Sequence, residues 1–447
     1  MVHARAFPPG PKGTPFIGSL RRMQRDPLVF LRHVAAEYGD IAHFRLGGFH
    51  AFLLSDPRDI EDVLVTHHRR FTKGRALQRA RRMLGNGLLT SEGEFHRRQR
   101  RLAQPAFHRP RVAAYGEVMT RLAIRFCERQ RAGETIEIAR EMNQLTLAIV
   151  GRTLFGADVE PQAAEVREAL TAALEMFDVS VSPLASLLER LPLPRMRRFW
   201  AALARLDRIV YGIIETRRRE GGDRGDLLSM LLLAHDEEGD GGSMTNQQLR
   251  DEAMTLFLAG HETTANALAW TWYLLAQHPA AEARLHAEVD ALISGRMPTS
   301  EDVPKLTFTR MVLAESMRLY PPAWAIGRRA IEAHPVGGYV VPPGSLVLAS
   351  QWVVHHDPRH YPDPDRFDPD RWLPESQALR PRFSYFPFGG GPRVCIGEAF
   401  AWMEGILLLA TIAQRWRFQL VPGHPVSIQP VITLRPRRGI KMTAAPR

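Results

Sequence analysis

One glycine-rich stretch late in the chain decides how the rest is interpreted: Phe386-Pro387-Phe388-Gly389-Gly390-Gly391-Pro392-Arg393-Val394-Cys395-Ile396-Gly397-Glu398. Three consecutive glycines followed by a proline predict an extended loop whose backbone can come close to something large and flat. Cys395 follows this loop, and a helix is expected from about Gly397 through Leu408. Unpaired backbone N–H groups and the positive end of the helix dipole stabilise a thiolate at such a position. On its own, the stretch could also be a glycine-rich turn before a structural cysteine.

The stretch resembles the signature of the cytochrome P450 family. The pattern Phe-x-x-Gly-x-Arg-x-Cys-x-Gly is matched in full by Phe388, Gly391, Arg393, Cys395 and Gly397. The resemblance implies haem b (iron protoporphyrin IX), with Cys395 as the axial ligand of the iron. A thiolate ligand supplies the electron density that cleaves the O–O bond of iron-bound oxygen. It also implies that Phe388, Gly389 and Gly397 adjoin the haem and that Arg393 pairs with a propionate.

A second motif is expected to brace the cysteine loop. Glu315-Ser316-Met317-Arg318 places a carboxylate and a guanidinium three residues apart on one side of a helix. Taken alone, this is also the pattern of an ordinary surface salt bridge. Arg371 follows in Phe367-Asp368-Pro369-Asp370-Arg371-Trp372, the family's Phe-x-Pro-x-Arg setting. The resemblance implies that Glu315, Arg318 and Arg371 form a brace for folding and haem retention.

The stretch from Met244 to Gln277 is predicted to be one long central helix. Thr245 can cap its start, Gln248 occupies the capping-box position, and His278-Pro279 ends it. A helix of this length crosses the whole body of a protein of this size. Glu262 near its middle is therefore expected to be buried, which is costly without a partner or a function.

The middle of that helix, Ala259-Gly260-His261-Glu262-Thr263-Thr264, matches the family's Ala/Gly-Gly-x-Asp/Glu-Thr-Thr motif. Ala259 and Gly260 are expected to let the helix pass close over a flat ligand, with a threonine hydroxyl opening a local bulge. The resemblance implies that Thr263 and Glu262 deliver protons to bound oxygen. The alternative is that both threonines bond back to the helix and that Glu262 is paired in the core. His261 is expected to pack or meet solvent rather than bind iron.

Four further residues resemble the family's propionate partners. His96 and Arg100 share one helical face in His96-Arg97-Arg98-Gln99-Arg100, Arg328 follows Pro321-Pro322, and His355 lies in His-His-Asp-Pro. Two propionates cannot bind these residues and Arg393 all directly. The alternative for each residue is a solvated surface charge.

The fold is expected to be mainly α with small β-sheets (α+β), in one domain over residues 1–447. Hydrophobic residues make up 45% and charged residues 24% of the 447, the balance of a globular protein. A hairpin is predicted between Ile41 and Leu54 around Gly47-Gly48, and two strands between Gly338 and Ala349. Residues from about Glu92 to Tyr320 are predicted to be mostly helical.

The charge and the cysteine content of the chain bear on its binding partners and its cellular compartment. Lys+Arg 59 against Asp+Glu 48 gives a net charge of +11, which favours acidic partners, but no zinc-finger spacing or RNP motif supports nucleic-acid binding. Cys127 and Cys395 suit a reducing compartment, and Cys127 is expected to be structural. Met1 to Gly18 contains no apolar run resembling a signal or anchor, and His261 and Glu262 interrupt the most hydrophobic segment. We therefore expect a cytoplasmic protein without a membrane anchor.

The resemblance places the substrate between the central helix and segments distant in sequence. These are a loop from Arg75 to Leu89 and a helical lid from about Ala163 to Leu188. The expected pocket residues are Ala259, Thr263, Ala323, Trp324, Ala325, Ile326, Val431 and Ile432. Their largely apolar character favours a hydrophobic substrate such as a fatty acid, terpenoid or polyketide, while ordinary core packing is the alternative.

The resemblance implies a monooxygenase that inserts one oxygen atom of O2 into a C–H bond or double bond. No dinucleotide fingerprint is found, so electrons from NAD(P)H are expected through a ferredoxin or flavodoxin with its reductase. Arg97, Arg98 and Arg101 are either a basic dock for that partner or a solvated helix face. Alternatives are a haem-thiolate peroxygenase or desaturase, a non-catalytic haem sensor, and a basic nucleic-acid-binding protein.

Overall fold

The computed structural model describes residues 7–158, 165, 194–235 and 242–447. These residues form two compact units. The first contains residues 7–78, 315–395 and 432–434, and the second contains the other described residues. The expected lid from Ala163 to Leu188 lies outside the described residues, apart from residue 165.

Helices dominate the described residues, and the prediction of a mainly helical protein with small sheets is confirmed. The helices are α1 (Leu20–Arg25), α2 (Pro27–Tyr38), α3 (Pro57–Glu61), α4 (Arg75–Leu84), α5 (Gly93–Ala103), α6 (Arg109–Arg129), α7 (Ile138–Leu154), α8 (Pro194–Glu220), α9 (Leu227–Leu233), α10 (Asn246–Gln277), α11 (Pro279–Ile293), α12 (Thr307–Leu319), α13 (Gln351–Val354), α14 (Pro374–Ala378) and α15 (Glu398–Ala413). Among the described helices, none combines the length and the apolar character needed to cross a membrane.

The strands are short. They are β1 (Ile41–Leu46), β2 (Phe49–Leu54), β3 (Phe71–Lys73), β4 (Thr135–Glu137), β5 (Ile326–Ala330), β6 (His334–Val336), β7 (Tyr339–Val341), β8 (Leu346–Ala349), β9 (Trp416–Leu420), β10 (Ile428–Pro430), β11 (Leu434–Pro436) and β12 (Lys441–Pro446).

The first unit is built around a five-stranded sheet in the order β1-β2-β8-β5-β3. The predicted hairpin is confirmed, because β1 and β2 pair antiparallel and Gly47 adopts a positive φ of 60° in the turn between them. β8 pairs parallel with β2, with Ala51 opposite Leu346. The predicted strands on either side of Pro342-Pro343-Gly344 are also present, but β7 pairs with β6, while β8 belongs to the large sheet. Apolar side chains from β2 and β8 enter two hydrophobic clusters of this unit.

The second unit contains the predicted central helix as α10. Its capping box is present, since the Gln248 backbone N–H donates to Thr245 Oγ1 (3.2 Å) and the Thr245 N–H donates to Gln248 Oε1 (2.8 Å). The helix begins at Asn246 rather than Met244, because the capping residue Thr245 has an extended backbone. α10 packs along α7, where the Thr146 hydroxyl donates to the His261 carbonyl oxygen (3.0 Å).

Two features of the second unit depart from the sequence predictions. β4 interrupts the stretch predicted to be mostly helical, because it pairs with β12 near the end of the chain. The helix after the cysteine begins at Glu398 and continues to Ala413 instead of ending near Leu408, because the apolar run from Ile406 to Ala413 is buried.

Candidate active site

The cysteine loop ends with an exposed side chain at Cys395. The Cys395 backbone N–H donates to the Phe388 carbonyl oxygen (3.0 Å), which folds the loop back on itself. Gly391 has a positive φ of 66°, and a β-carbon there would clash with the carbonyl oxygen of Leu64. Glycine is therefore required where the loop packs against the turn that contains Leu64. Gly397 is the N-cap residue of α15, so the thiol comes directly before a helix, as expected.

The expected brace forms a compact set of bonds in the first unit. Arg318 and Glu315 are fully buried and pair through two bonds, Nε to Oε2 (2.8 Å) and Nη2 to Oε1 (2.8 Å). Arg371 contributes its Nε at 3.4 Å from Glu315 Oε1. The Asp368 backbone N–H and Trp372 Nε1 each donate to the same carboxylate (3.0 Å). A buried ion pair is tolerated when its remaining hydrogen-bonding capacity is filled, as it is here.

His355 connects this brace to the cysteine loop. Its carbonyl oxygen accepts from Arg318 Nη1 (2.8 Å), and its Nε2 accepts from the backbone N–H of Phe386 (3.1 Å). Burial, followed by the neighbouring His356 and Arg318, holds the pKa of His355 well below 6.5, so the ring is neutral. His355 was expected to bind a propionate directly; in the structure its ring is completely buried and its Nε2 accepts from Phe386, and the propionate contact stays a prediction.

Two further cationic side chains expected near the haem lie in the first unit. Arg328 on β5 is half-buried, and Arg393 is half-buried two residues before the thiol. Lys73 on β3 lies opposite Arg328 in the strand register and is 5% exposed. No motif in the sequence pointed to Lys73, which is the last residue of the strand Phe71-Thr72-Lys73.

The other expected propionate partners lie on α5 of the second unit. His96 is buried and Arg100 is half-buried, one turn apart on the same face. On the other side of α5, Arg97 and Arg101 are exposed, and Arg97 pairs with Glu94. Arg98 differs from both, because it is half-buried and donates to the Gly242 carbonyl oxygen (2.9 Å). The expected basic surface on α5 is therefore formed by Arg97 and Arg101 without Arg98.

The centre of α10 has an exposed strip in a helix that is otherwise mostly buried. Ala259 is exposed and Thr263 is half-buried, while most residues on either side of them are buried. Thr263 Oγ1 donates back to the Ala259 carbonyl oxygen (3.0 Å), and the helix is continuous through this point, so the expected bulge is absent. Gly260 packs close to α7, since a β-carbon there would lie 3.2 Å from Val150, and its expected contact with a flat ligand stays a prediction.

Glu262 is buried, with 7% exposure, and forms an ion pair with Arg435, which belongs to none of the motifs above. Arg435 Nε, on β11, donates to Glu262 Oε1 (2.7 Å). Nothing in the sequence indicated this pair, because its members are far apart along the chain and Arg435 belongs to no recognised motif. His261, next to Glu262, is completely buried and its Nδ1 donates to the Phe257 carbonyl oxygen (2.7 Å).

A second carboxyl group lies beside this segment. Glu404 on α15 is completely buried, and burial raises its pKa well above 4.5, with only a smaller opposing effect from the Thr264 hydroxyl. Burial therefore favours the neutral form of this carboxyl group. A lone glutamate in the apolar sequence Met403-Glu404-Gly405-Ile406 was a signal for this burial that the sequence analysis did not use.

The expected substrate-facing residues divide into two groups. Ala323, Ala325, Ile326, Val431 and Ile432 are all half-buried. Trp324 packs against the hydrophobic cluster of β1, β2 and α2, which favours the alternative of core packing for this residue. The predicted loop from Arg75 to Leu89 is instead helical as α4 up to Leu84. Its remainder is tied to α10, because Asn86 N–H donates to Asp251 (2.7 Å) and Leu88 N–H donates to Glu252 (3.0 Å).

The donors of the first unit fit a haem. They combine an exposed thiol, a loop that only glycine permits against its neighbour, and the half-buried guanidinium groups of Arg328 and Arg393. The second unit independently offers a strip of small exposed residues on α10 and a buried His96 beside Arg100.

Comparison with known proteins agrees with this assignment. The family model described as Cytochrome P450 matches residues 8–443. Cyclooctatin synthase of Streptomyces melanosporofaciens is 44% identical over 439 residues, covering 98% of this chain and 93% of that protein. Cyclooctat-9-en-7-ol 5-monooxygenase of the same organism is 42% identical, with coverage of 92% and 90%. Pentalenene oxygenase of Streptomyces avermitilis is 36% identical, with coverage of 97% and 96%.

These matches extend over nearly the whole chain and include proteins named as oxygenases. The chain therefore belongs to the cytochrome P450 family and is a haem- and O2-dependent monooxygenase that takes a hydrophobic substrate and electrons from a redox partner.

Proposed function

We propose that this monooxygenase hydroxylates or epoxidises a terpenoid. The observation that carries the proposal is the similarity, over nearly the full chain, to a cyclooctat-9-en-7-ol 5-monooxygenase and a pentalenene oxygenase. The residues proposed to face the substrate are compatible with it, because Ala259, Ala323, Ala325, Ile326 and Val431 offer no charge.

The proposed haem contacts divide by chemistry. Cys395 would bind the iron, and Arg328, Arg393, His96 and Arg100 would provide the propionate contacts, with Lys73 as an additional candidate. Haem supplies the chemistry of O2 activation when it is bound. The brace of Glu315, Arg318 and Arg371 would keep the cysteine loop folded through its link to His355. One domain over residues 1–447 is part of this proposal, supported by a single family model that matches residues 8–443.

Proton delivery is proposed for Thr263 and Glu262. The Thr263 hydroxyl is half-buried on the same helical strip as Ala259, and its proton would be offered at that surface once its bond to the Ala259 carbonyl oxygen is released. Its bond to the Ala259 carbonyl oxygen fixes the direction of the oxygen while leaving its lone pairs free to accept. Glu262, the adjacent residue, would take up a proton from solvent and pass it to Thr263 Oγ1 through water.

A ferredoxin or flavodoxin with its NAD(P)H-dependent reductase is proposed as the electron donor. The exposed Arg97 and Arg101 on α5 would attract an acidic surface of that protein. A cytoplasmic location is proposed as well, because Cys395 must remain a free thiolate and Cys127 is a buried free thiol.

The substrate proposal can be tested on the purified haem-loaded protein with a matched panel of ligands. The panel contains cyclooctat-9-en-7-ol, pentalenene, a long-chain fatty acid and a macrolactone. We expect a terpenoid to give the largest shift of the Soret band and, with a reconstituted redox chain, a product carrying one atom from 18O2. The proposal is wrong if only the fatty acid or the macrolactone binds and is oxygenated.

A further inference from the structure

Arg435 lies outside every motif discussed above, yet it forms an ion pair with the acidic residue of the central helix. We infer that Arg435 is a positioning residue for proton delivery, which keeps the Glu262 carboxylate ionised and fixed beside Thr263. This inference rests on the proposed role of Glu262 and adds a residue to it.

The geometry favours a functional pair over an incidental contact. Arg435 Nε lies 2.7 Å from Glu262 Oε1, the distance of a charge-assisted hydrogen bond. The Glu262 side chain is 9% exposed and the Arg435 side chain is 27% exposed. A carboxylate this buried would take up a proton unless a cation were held against it. Arg435 provides that cation from a side that retains contact with solvent.

Two other titratable groups on the described helices near this segment, His261 and Glu404, do not supply a positive charge. His261 on the same helix is completely buried, and burial lowers its pKa, so it is neutral and offers no positive charge. Glu404 on α15, beside Thr264, has its pKa raised by burial. Glu262 is therefore paired with a cation, whereas burial favours the neutral form of Glu404.

Arg435 is held in place by its own strand. The following segment is anchored where the Arg437 backbone N–H donates to the Ser427 carbonyl oxygen (2.8 Å). The guanidinium is thus presented by a fixed backbone. Because Arg435 is more exposed than Glu262, we infer that water reaches the carboxylate on the Arg435 side and that protons enter there.

The test compares Arg435→Ala, Arg435→Lys, Glu262→Gln and the double variant Glu262→Gln/Arg435→Ala with the parent enzyme. Arg438→Ala is the matched control, since Arg438 is an exposed arginine three residues further along the same segment. The first readout is the amount of product formed per NAD(P)H consumed. It is measured from about pH 5.5 to about pH 9, a range in which buried carboxyl groups titrate. Binding affinity from the Soret shift and the carbonyl-complex spectrum verify that each variant keeps its haem and pocket.

We expect Arg435→Ala to lower this coupling roughly tenfold at neutral pH and to move the acidic limb of its pH profile upward by about one pH unit. Arg435→Lys should recover most of the coupling, since it retains the charge. Glu262→Gln should abolish the acidic limb, and adding Arg435→Ala to it should cause little further loss. Arg438→Ala should behave as the parent does.

A second readout needs no turnover and no known substrate. The four combinations of Glu262 and Arg435 form a double-mutant cycle in denaturant unfolding, in which we expect the double variant to be less destabilised than the sum of the single variants. Additive effects, or an unchanged acidic limb in a folded Arg435→Ala protein, would overturn the inference. Failure to oxygenate any terpenoid would instead count against the proposed substrate and leave both readouts measurable with another lipophile.

Discussion

The backbone N–H of Phe386 donates to Nε2 of His355 at 3.1 Å, and this bond connects the buried brace to the loop that carries Cys395. The brace is thereby linked to the first residue of that loop. The proposed contribution of the brace to haem retention would act through the conformation of the loop.

Loss of His355 should therefore loosen the cysteine loop. We expect His355→Ala to destabilise the protein by about 1–3 kcal/mol, the usual effect of leaving a buried N–H without its acceptor. Haem dissociation to an acceptor such as apomyoglobin should be faster than for the parent. His68→Ala is the control, because that histidine is half-buried and bonds locally to the Val65 carbonyl oxygen. A loss rate equal to that of the parent would contradict the link.

Breaking the buried ion pair should cost more. We expect Arg318→Ala to destabilise the protein by about 3–5 kcal/mol, because it leaves the Glu315 charge buried without its main partner. Arg371→Ala should cost less, since the Arg371 Nε lies 3.4 Å from the same carboxylate rather than 2.8 Å. Denaturant unfolding of both variants gives the comparison. Equal losses would show that the two arginines contribute alike.

Replacement of Cys395, the proposed axial ligand, should abolish haem binding. We expect Cys395→Ala to be purified without stoichiometric haem, as measured by the pyridine haemochromogen assay. Cys127→Ala is the matched control, because burial raises the pKa of Cys127 to about 12 and makes it an inert apolar side chain. Retained haem with the carbonyl-complex absorbance typical of sulfur ligation in Cys395→Ala would contradict the assignment.

The Thr263 hydroxyl should affect coupling rather than binding. We expect Thr263→Ala to divert roughly nine-tenths of the electrons to hydrogen peroxide. The loss of coupling is smaller than the full rate contribution of a general acid, because water can partly replace the hydroxyl. Thr271→Ala is a close control, since that hydroxyl donates to the carbonyl four residues before it on the same helix (2.7 Å). Full coupling in Thr263→Ala would remove this residue from the proposed mechanism.

Glu404 should make stability depend on pH. Its pKa is raised well above 4.5 in the folded protein, so its favourable contribution is complete below about that pH and is lost as pH rises toward the folded-state value. Glutamine cannot ionise, so we expect the free energy of unfolding of Glu404→Gln to fall less than that of the parent between about pH 6 and about pH 9. This range roughly covers the raised pKa values of buried carboxyl groups. Parallel stability curves would show that Glu404 is ionised in the folded state.

Local patterns predicted those parts of the site that depend on neighbours in sequence. The capping box of Thr245 and Gln248, the Glu315–Arg318 pair and the hairpin after Ile41 all join residues a few positions apart, and each is present. The expectation of a bulge at Thr263 was wrong because the back-bonded hydroxyl fits within a continuous helix.

Long-range partners could not be predicted in this way. Arg435 pairs with Glu262, and His355 receives Phe386, only because the fold brings distant segments together. Gly260 also has a long-range neighbour that the sequence does not show, since a β-carbon there would lie 3.2 Å from Val150. A single sequence shows the secondary-structure propensity of each segment and the spacing of its residues, whereas these contacts depend on tertiary packing.

The parallel pairing of β2 with β8 has a consequence for how the protein is made on the ribosome. Residue 51 is synthesised long before residue 346, its partner in the parallel pair. The β1–β2 hairpin therefore emerges well before the strand that completes its sheet. An isolated hairpin is marginally stable, and an unpaired β-strand edge promotes association with other chains. Nascent chains halted before residue 346 are therefore expected to need chaperone protection. Full-length chains should no longer need it once β8 has paired with β2.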